Sequence, residues 1–182
     1  MKNFILKLSM VVSKILEVVH WVCVALLAVL IVLSFTAPDF LISEGIVAEF
    51  SNMSIGGFSI TCVDALGNND VVAFRMFAIG AFLIIALTAM IIRNIFLILR
   101  KTSAGTPFVK DNVRMVKEIG IFSIAIPVVG FIVGIITRLV CGVDAVEVGV
   151  DFYSVIIGLV MLCLTQVFAH GVKLEEDVDG LL

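Results

Sequence analysis

This sequence is short of charge. Only 15% of its 182 residues are Asp, Glu, Lys or Arg, 62% are hydrophobic, and the mean hydropathy is +1.24. A soluble domain carries about a quarter charged residues, so a water-soluble globule does not fit. No nucleophile stands beside a base, which argues against covalent and general acid–base enzymes. The apolar stretches hold few polar residues, chiefly Thr88, Ser123, Thr137, Thr165 and Gln166. Transport pathways usually show intramembrane carboxylates or broken helices, so a transporter or channel is disfavoured. Four Cys and two His invite a metal reading, but their depths along the helices argue against a shared centre. On a helix Cys163 stands roughly 10 Å from His170, too far to share a tetrahedron. Repeats and low-complexity tracts are also missing.

What remains is four long apolar runs, 18–37, 71–92, 119–140 and 152–170. Each approaches the roughly 20 residues that cross a hydrocarbon core as a helix. The expected fold is therefore an all-α membrane protein, a four-helix transmembrane bundle forming a single domain. Lys2, Lys7 and Lys14 precede the first run as they would in a signal peptide. That run exceeds the about 7–15 residues of a signal, and "SFTAPD" is a poor cleavage site, so it reads as a retained span.

Ten of the twelve basic residues fall on one side: Lys2, Lys7, Lys14, those in 93–118, and Lys173. The positive-inside rule then puts both termini and the 93–118 loop in the cytoplasm of a cell-membrane protein. The opposite side carries Asp39, Glu44, Glu49, Asp64, Asp70, Asp144, Glu147 and Asp151, with Arg75 and Arg138 nearby. Those two arginines are expected to make ion pairs that hold an outer cap on the helices. An external cationic or peptide ligand is the alternative partner for the acids. Cys62 and Cys141 both fall on this side, where a disulfide between them is compatible with the compartment.

Residues 4–19 read as an interfacial helix leading into the first span, with Phe4, Leu8, Val11, Ile15 and Val19 at helical spacing and Lys7, Lys14 and Glu17 on another face. The outer loop, 38–70, alternates at Phe58, Ile60 and Cys62 before the turn-prone "GNND", which predicts a short strand or hairpin in a small cap resting on the helix ends. The second helix should continue past the membrane to "TSAGTP", with Gly105 as C-cap, Pro107 in the first turn of the next helix, and Thr106 or Asp111 as its N-cap. Gly130 and Gly134 in the third run permit close helix approach. That approach serves packing within the chain or a homodimer.

The most polar internal stretch is "AGTPFVKDNVRMVKEIG", residues 104–120. Val109, Val113, Val116 and Gly120 form one helical stripe, and Lys110, Arg114 and Lys117 a neighbouring one. Such a basic stripe suits anionic headgroups of the lipid bilayer. The tail, 171–182, adds Glu175, Glu176, Asp177 and Asp179 on the same side, interleaved with Val172, Leu174 and Val178. That interleaving points to docking, either on the basic helix or on a protein partner.

Pro107, Phe108, Asn112 and Arg114, followed by Phe168, Gly171, Leu174, Glu176, Asp177 and Gly180, resemble the signature of a bacterial membrane family, domain of unknown function 2975. The Leu181–Leu182 ending departs slightly from that pattern. The resemblance implies four spans and a neighbouring gene for a small Cro/C1-type helix-turn-helix regulator, hence a membrane protein that holds or releases such a regulator. The expected function is thus non-enzymatic regulation, with no cofactor and no direct nucleic-acid contact. The alternative is an immunity or envelope-stress protein binding a toxic peptide at the outer face.

Overall fold

The computed structural model describes residues 2–51, 53–63, 68–105, 107–142 and 145–179, with the side chains of residues 2, 3 and 179 outside the description. The expectations on Asp64, Thr106, Asp144 and Gly180, and on the side chain of Asp179, lie outside the described residues. The elements run α1 (Lys2–Thr36), α2 (Pro38–Ser43), α3 (Ile46–Glu49), β1 (Met53–Ile55), β2 (Phe58–Ile60), α4 (Val71–Ser103), α5 (Lys110–Cys141), β3 (Val146–Val148) and α6 (Phe152–Asp179). Four of the helices are long and apolar enough to cross a membrane. This is a multi-pass membrane protein, helical apart from one small sheet.

By contacts the chain divides into two compact units. One comprises residues 1–20, 87–125 and 153–182, the other 21–86 and 126–152. Helices α1, α4 and α5 contribute to both, whereas α6 past its first residue belongs to the first unit only.

In the second unit the sheet has the order β1-β2-β3, antiparallel throughout, with Ser54 opposite Ser59 and Ser59 opposite Glu147. The hairpin turn is Gly56–Gly57, both with positive φ (57° and 91°), the pair of conformations a two-residue turn of the I′ kind requires. The alternation at Phe58, Ile60 and Cys62 faces inward, and all three are at most 1% exposed. Phe58 packs on Phe77 and Phe50 on Phe74, with centroids 5.8 and 5.5 Å apart. Leu41, Val47 and Val146 complete this core.

The cap packs on the start of α4, where Phe50 meets Phe74, but its hairpin goes deeper than the helix ends. A Cβ added at Gly130 would collide with the carbonyl of Gly56, and one added at Gly56 would collide with Ile84 Cδ1. Ile84 lies about 20 Å along α4 from Val71, and Gly130 about 16 Å along α5 from Cys141. Both are near the centres of their apolar runs, so the hairpin tip reaches the middle of a roughly 30 Å core. Strand backbone is tolerated at such depth only when protein encloses it. Here pairing on both sides satisfies β2, and α4 and α5 press on the tip through Ile84 and Gly130, while β1 is left as an exposed edge. Gly57 and Gly149 also meet, with Gly149 N–H donating to Gly57 O at 2.6 Å. Strand β3 therefore runs inward beside β2, and Asp151, just ahead of α6, lies next to the hairpin tip.

Some local expectations hold and others are corrected. Residues 4–19 do lead straight into the first span, as α1 is unbroken from Lys2 to Thr36. Gly105 does end α4, with φ 91° and its N–H donating to Thr102 O at 3.2 Å. Pro107 lies ahead of α5, not in its first turn, and Asp111 sits inside that turn instead of capping it. The turn-prone "GNND" delivers Asp70, whose Oδ1 accepts from Val72 and Ala73 N–H at 2.9 and 3.0 Å and caps α4. Gly130 and Gly134 are buried against their own sheet, Gly134 facing Val148 and Phe58. Their close approach is spent within the chain, and a second copy would have to displace the hairpin to use it.

Candidate functional site

The first unit gathers the 107–118 segment and the end of α6. Asn112 is fully buried and its Nδ2 donates to Pro107 O at 2.8 Å, which fixes the turn leading into α5. Its Oδ1 has no hydrogen-bond partner among the described residues, a burial that costs about 1–3 kcal/mol. The turn aims Phe108 onto α6. Its ring lies 5.8 Å from that of Phe168, and a Cβ at Gly171 would stand 2.5 Å from Phe108 Cδ1. Gly171 is the residue that lets the ring seat against the helix.

One turn on, Lys110 Nζ pairs with Glu176 Oε1 at 2.8 Å. Both side chains stand mostly in solvent (80% and 57% exposed), so the pair contributes little to stability and acts as register. Lys101 at the end of α4 pairs with Asp111 at 2.6 Å. Asp111 thereby keeps a carboxylate in the first turn of α5, where the helix dipole favours it.

Lys110, Arg114 and Lys117 are exposed, as are Glu175, Glu176 and Asp177. On the opposite stripe Val116 and Ile119 are buried, each 3% exposed. Flanking the Lys110–Glu176 pair is a groove of about 430 Å³ lined by Val113, Ala169, Val172 and Lys173. The basic segment thus touches its own C-terminal helix while keeping most of its charge outward.

A polar network nearby was not read from sequence. Asn94, 4% exposed, donates to Glu118 Oε2 at 3.0 Å, and Arg114 Nε stands 3.7 Å from Glu118 Oε1. Glu17, expected on a polar face, is 8% exposed and held by Lys14 Nζ at 3.0 Å. Lys14 in turn lies 5.1 Å over the Phe96 ring. The signal was there in each case: a polar residue within one or two turns of an apolar run's edge, at a spacing that points it inward.

On the acidic side, Arg75 does not pair with a described carboxylate. Its Nε donates to Ser34 O at 3.1 Å, its Nη2 donates to the same oxygen, and its guanidinium carbon lies 4.5 Å over the Phe35 ring. Arg75 therefore satisfies a carbonyl at the end of α1, one of the groups a helix terminus leaves unpaired. Arg138 is exposed and has no ion pair among the described residues.

Cys62 and Cys141 are both free thiols. Burial first, then Asp70 and Cys141, push the Cys62 thiol up to about 12. These two cysteines are close enough to act on each other, but Cys62 is held as a neutral thiol.

No curated protein and no solved structure matches the chain. A family model does, over residues 64–180, which covers both segments of the site, and its description is "Protein of unknown function (DUF2975)". With more than half its length matched, the chain belongs to the DUF2975 family.

Proposed function

We propose that this protein is a non-enzymatic membrane regulator that binds a small cytoplasmic helix-turn-helix transcription regulator and releases it in response to an envelope signal. The observation that carries the reading is the joining of two distant segments into one surface. Phe108 seated on Phe168 and Gly171, together with the Lys110–Glu176 pair, holds them together. A merely solvating acidic tail would not need that apolar seat. A basic stripe made only for headgroups would not need carboxylates beside it. Alternating charge of both signs is what gives a protein partner its register.

The positive-inside pattern supports placing this surface in the cytoplasm, in a cell membrane, within reach of a soluble partner. The test is co-purification in mild detergent from the protein's own host, with mass spectrometry, against a triple K110E/R114E/K117E variant. A small DNA-binding protein retained by the wild type and lost by the variant supports the reading. Equal recovery of that protein from both, or recovery of no soluble protein at all, rejects it.

A further inference from the structure

The second unit contains a cavity of about 400 Å³ that the proposed regulation does not use. Its walls are Cys23 and Leu27 of α1, Phe50, Ser54 of β1, and Phe77 and Ala81 of α4. The Phe50 and Phe77 rings, 6.1 Å apart, form one wall. Among the described residues no Asp, Glu, Lys, Arg or His lines it, and the polar side chains there are one hydroxyl and one thiol. The volume lies within the roughly 300–1,000 Å³ of ligand pockets, but the described residues do not supply the few orienting polar groups such pockets add for small polar ligands.

Depth and access identify the occupant. Leu27 is central in the first apolar run and Ala81 in the second, so the cavity sits within the hydrocarbon region. Its rim includes Leu26 and Met53, which are 59% and 44% exposed. Leu26 continues the outward face of α1 formed by Val22 and Val29, the face that meets the bilayer. The cavity is therefore continuous with the lipid-contacting surface. Water is scarce at that depth, and an unfilled apolar void forfeits the dispersion contacts of its walls.

We propose that this cavity is a binding site for one acyl chain of a bilayer phospholipid, inserted between α1 and α4 beneath strand β1. The chain touches all three elements at once. It joins α1 to the hairpin across a gap the side chains leave open, with Met53 and Cys23 as the adaptable walls.

The experiment uses the full chain in nanodiscs of phosphatidylethanolamine and phosphatidylglycerol, doped with a phospholipid carrying a diazirine on its acyl chain. After photolysis, adducts are mapped by mass spectrometry. The expected result is adducts concentrated in 23–30, 50–55 and 77–85, saturating as unlabelled phospholipid is added. Ala81→Phe, which fills the cavity, should lower them about tenfold, equivalent to roughly 1.4 kcal/mol. Saturation of the wild type tests the site even if that variant fails to fold. Adducts that follow exposure, spread over Phe35 and Tyr153 without saturating, would overturn the proposal. So would displacement by a free fatty acid at concentrations where added phospholipid has no effect, because the occupant would then not be a bilayer lipid.

Discussion

Gly130 of α5 and Gly56 of the hairpin meet backbone to backbone, so close that a single Cβ on Gly130 would strike the Gly56 carbonyl. Backbone cannot yield as a side chain can. Gly130→Ala should therefore destabilise the protein by about 1–3 kcal/mol, the usual cost of overpacking. At Gly134 the nearest atom to an added Cβ is Val148 Cγ2 at 2.8 Å, a side chain able to turn, so Gly134→Ala should cost less. Thermal unfolding of both variants in one detergent checks the order. An unchanged midpoint for Gly130→Ala would mean the hairpin does not reach that depth.

Arg75 tests how the end of α1 is held. Its guanidinium serves the Ser34 carbonyl and stacks over Phe35, and hydrogen bonds from a charged group are worth about 1.5–3 kcal/mol. Arg75→Met should lower stability by about that amount. Neutralising Asp39 or Glu44, neither of which pairs with it, should leave the unfolding midpoint in place. A large effect from either acid, with little from Arg75→Met, would restore the ion-pair account.

Phe108 tests the docking of the tail. Aromatic pairs contribute about 0.5–1.5 kcal/mol beyond their area, so Phe108→Ala should raise the undocked population about two- to tenfold. Limited proteolysis near Lys173 reads this directly. Cleavage should accelerate in the variant while the rest of the chain stays resistant. Equal rates would mean that Phe108 does not seat the tail.

Cys62 makes stability depend on pH at the alkaline end. Its folded thiol is raised from the ordinary 9.0 to about 12, so above about pH 9 the unfolded chain binds fewer protons than the folded one. Stability then falls as pH rises from about 9 towards 12, by up to roughly 1.4 kcal/mol per pH unit, and is unaffected below that window. Melting curves from pH 7 to 11 should slope less steeply in Cys62→Ala than in the wild type. The folded protein should also resist alkylation at Cys62 at pH 8, because the thiolate is the reactive form. Parallel slopes with rapid labelling would contradict this.

The apolar runs made the four long helices legible, and "GNND", Gly105 and the alternation at Phe58, Ile60 and Cys62 made their connections partly so. The depth of the hairpin was not legible. Gly130 reads alone as a helix-packing residue, and only its meeting with Gly56 shows that strand backbone enters the bilayer region. Arg75 was misread because charge counting looks for carboxylates, while a helix end offers unpaired carbonyls with no signature in composition. The site segments were visible as a polar island and an acidic tail. Their contact depends on Phe108 and Gly171, and nothing in the spacing of residues more than sixty apart announces that pair.

The surface joined by Lys110 and Glu176 is the one we propose binds a helix-turn-helix regulator. Its most direct test is the affinity of such a regulator, purified from the same host, for the full chain in nanodiscs, measured for the wild type and for the K110E/R114E/K117E variant. The expected result is saturable binding that the variant loses, with unchanged helicity. Equal affinity for the two, or no binding by the wild type, would contradict it.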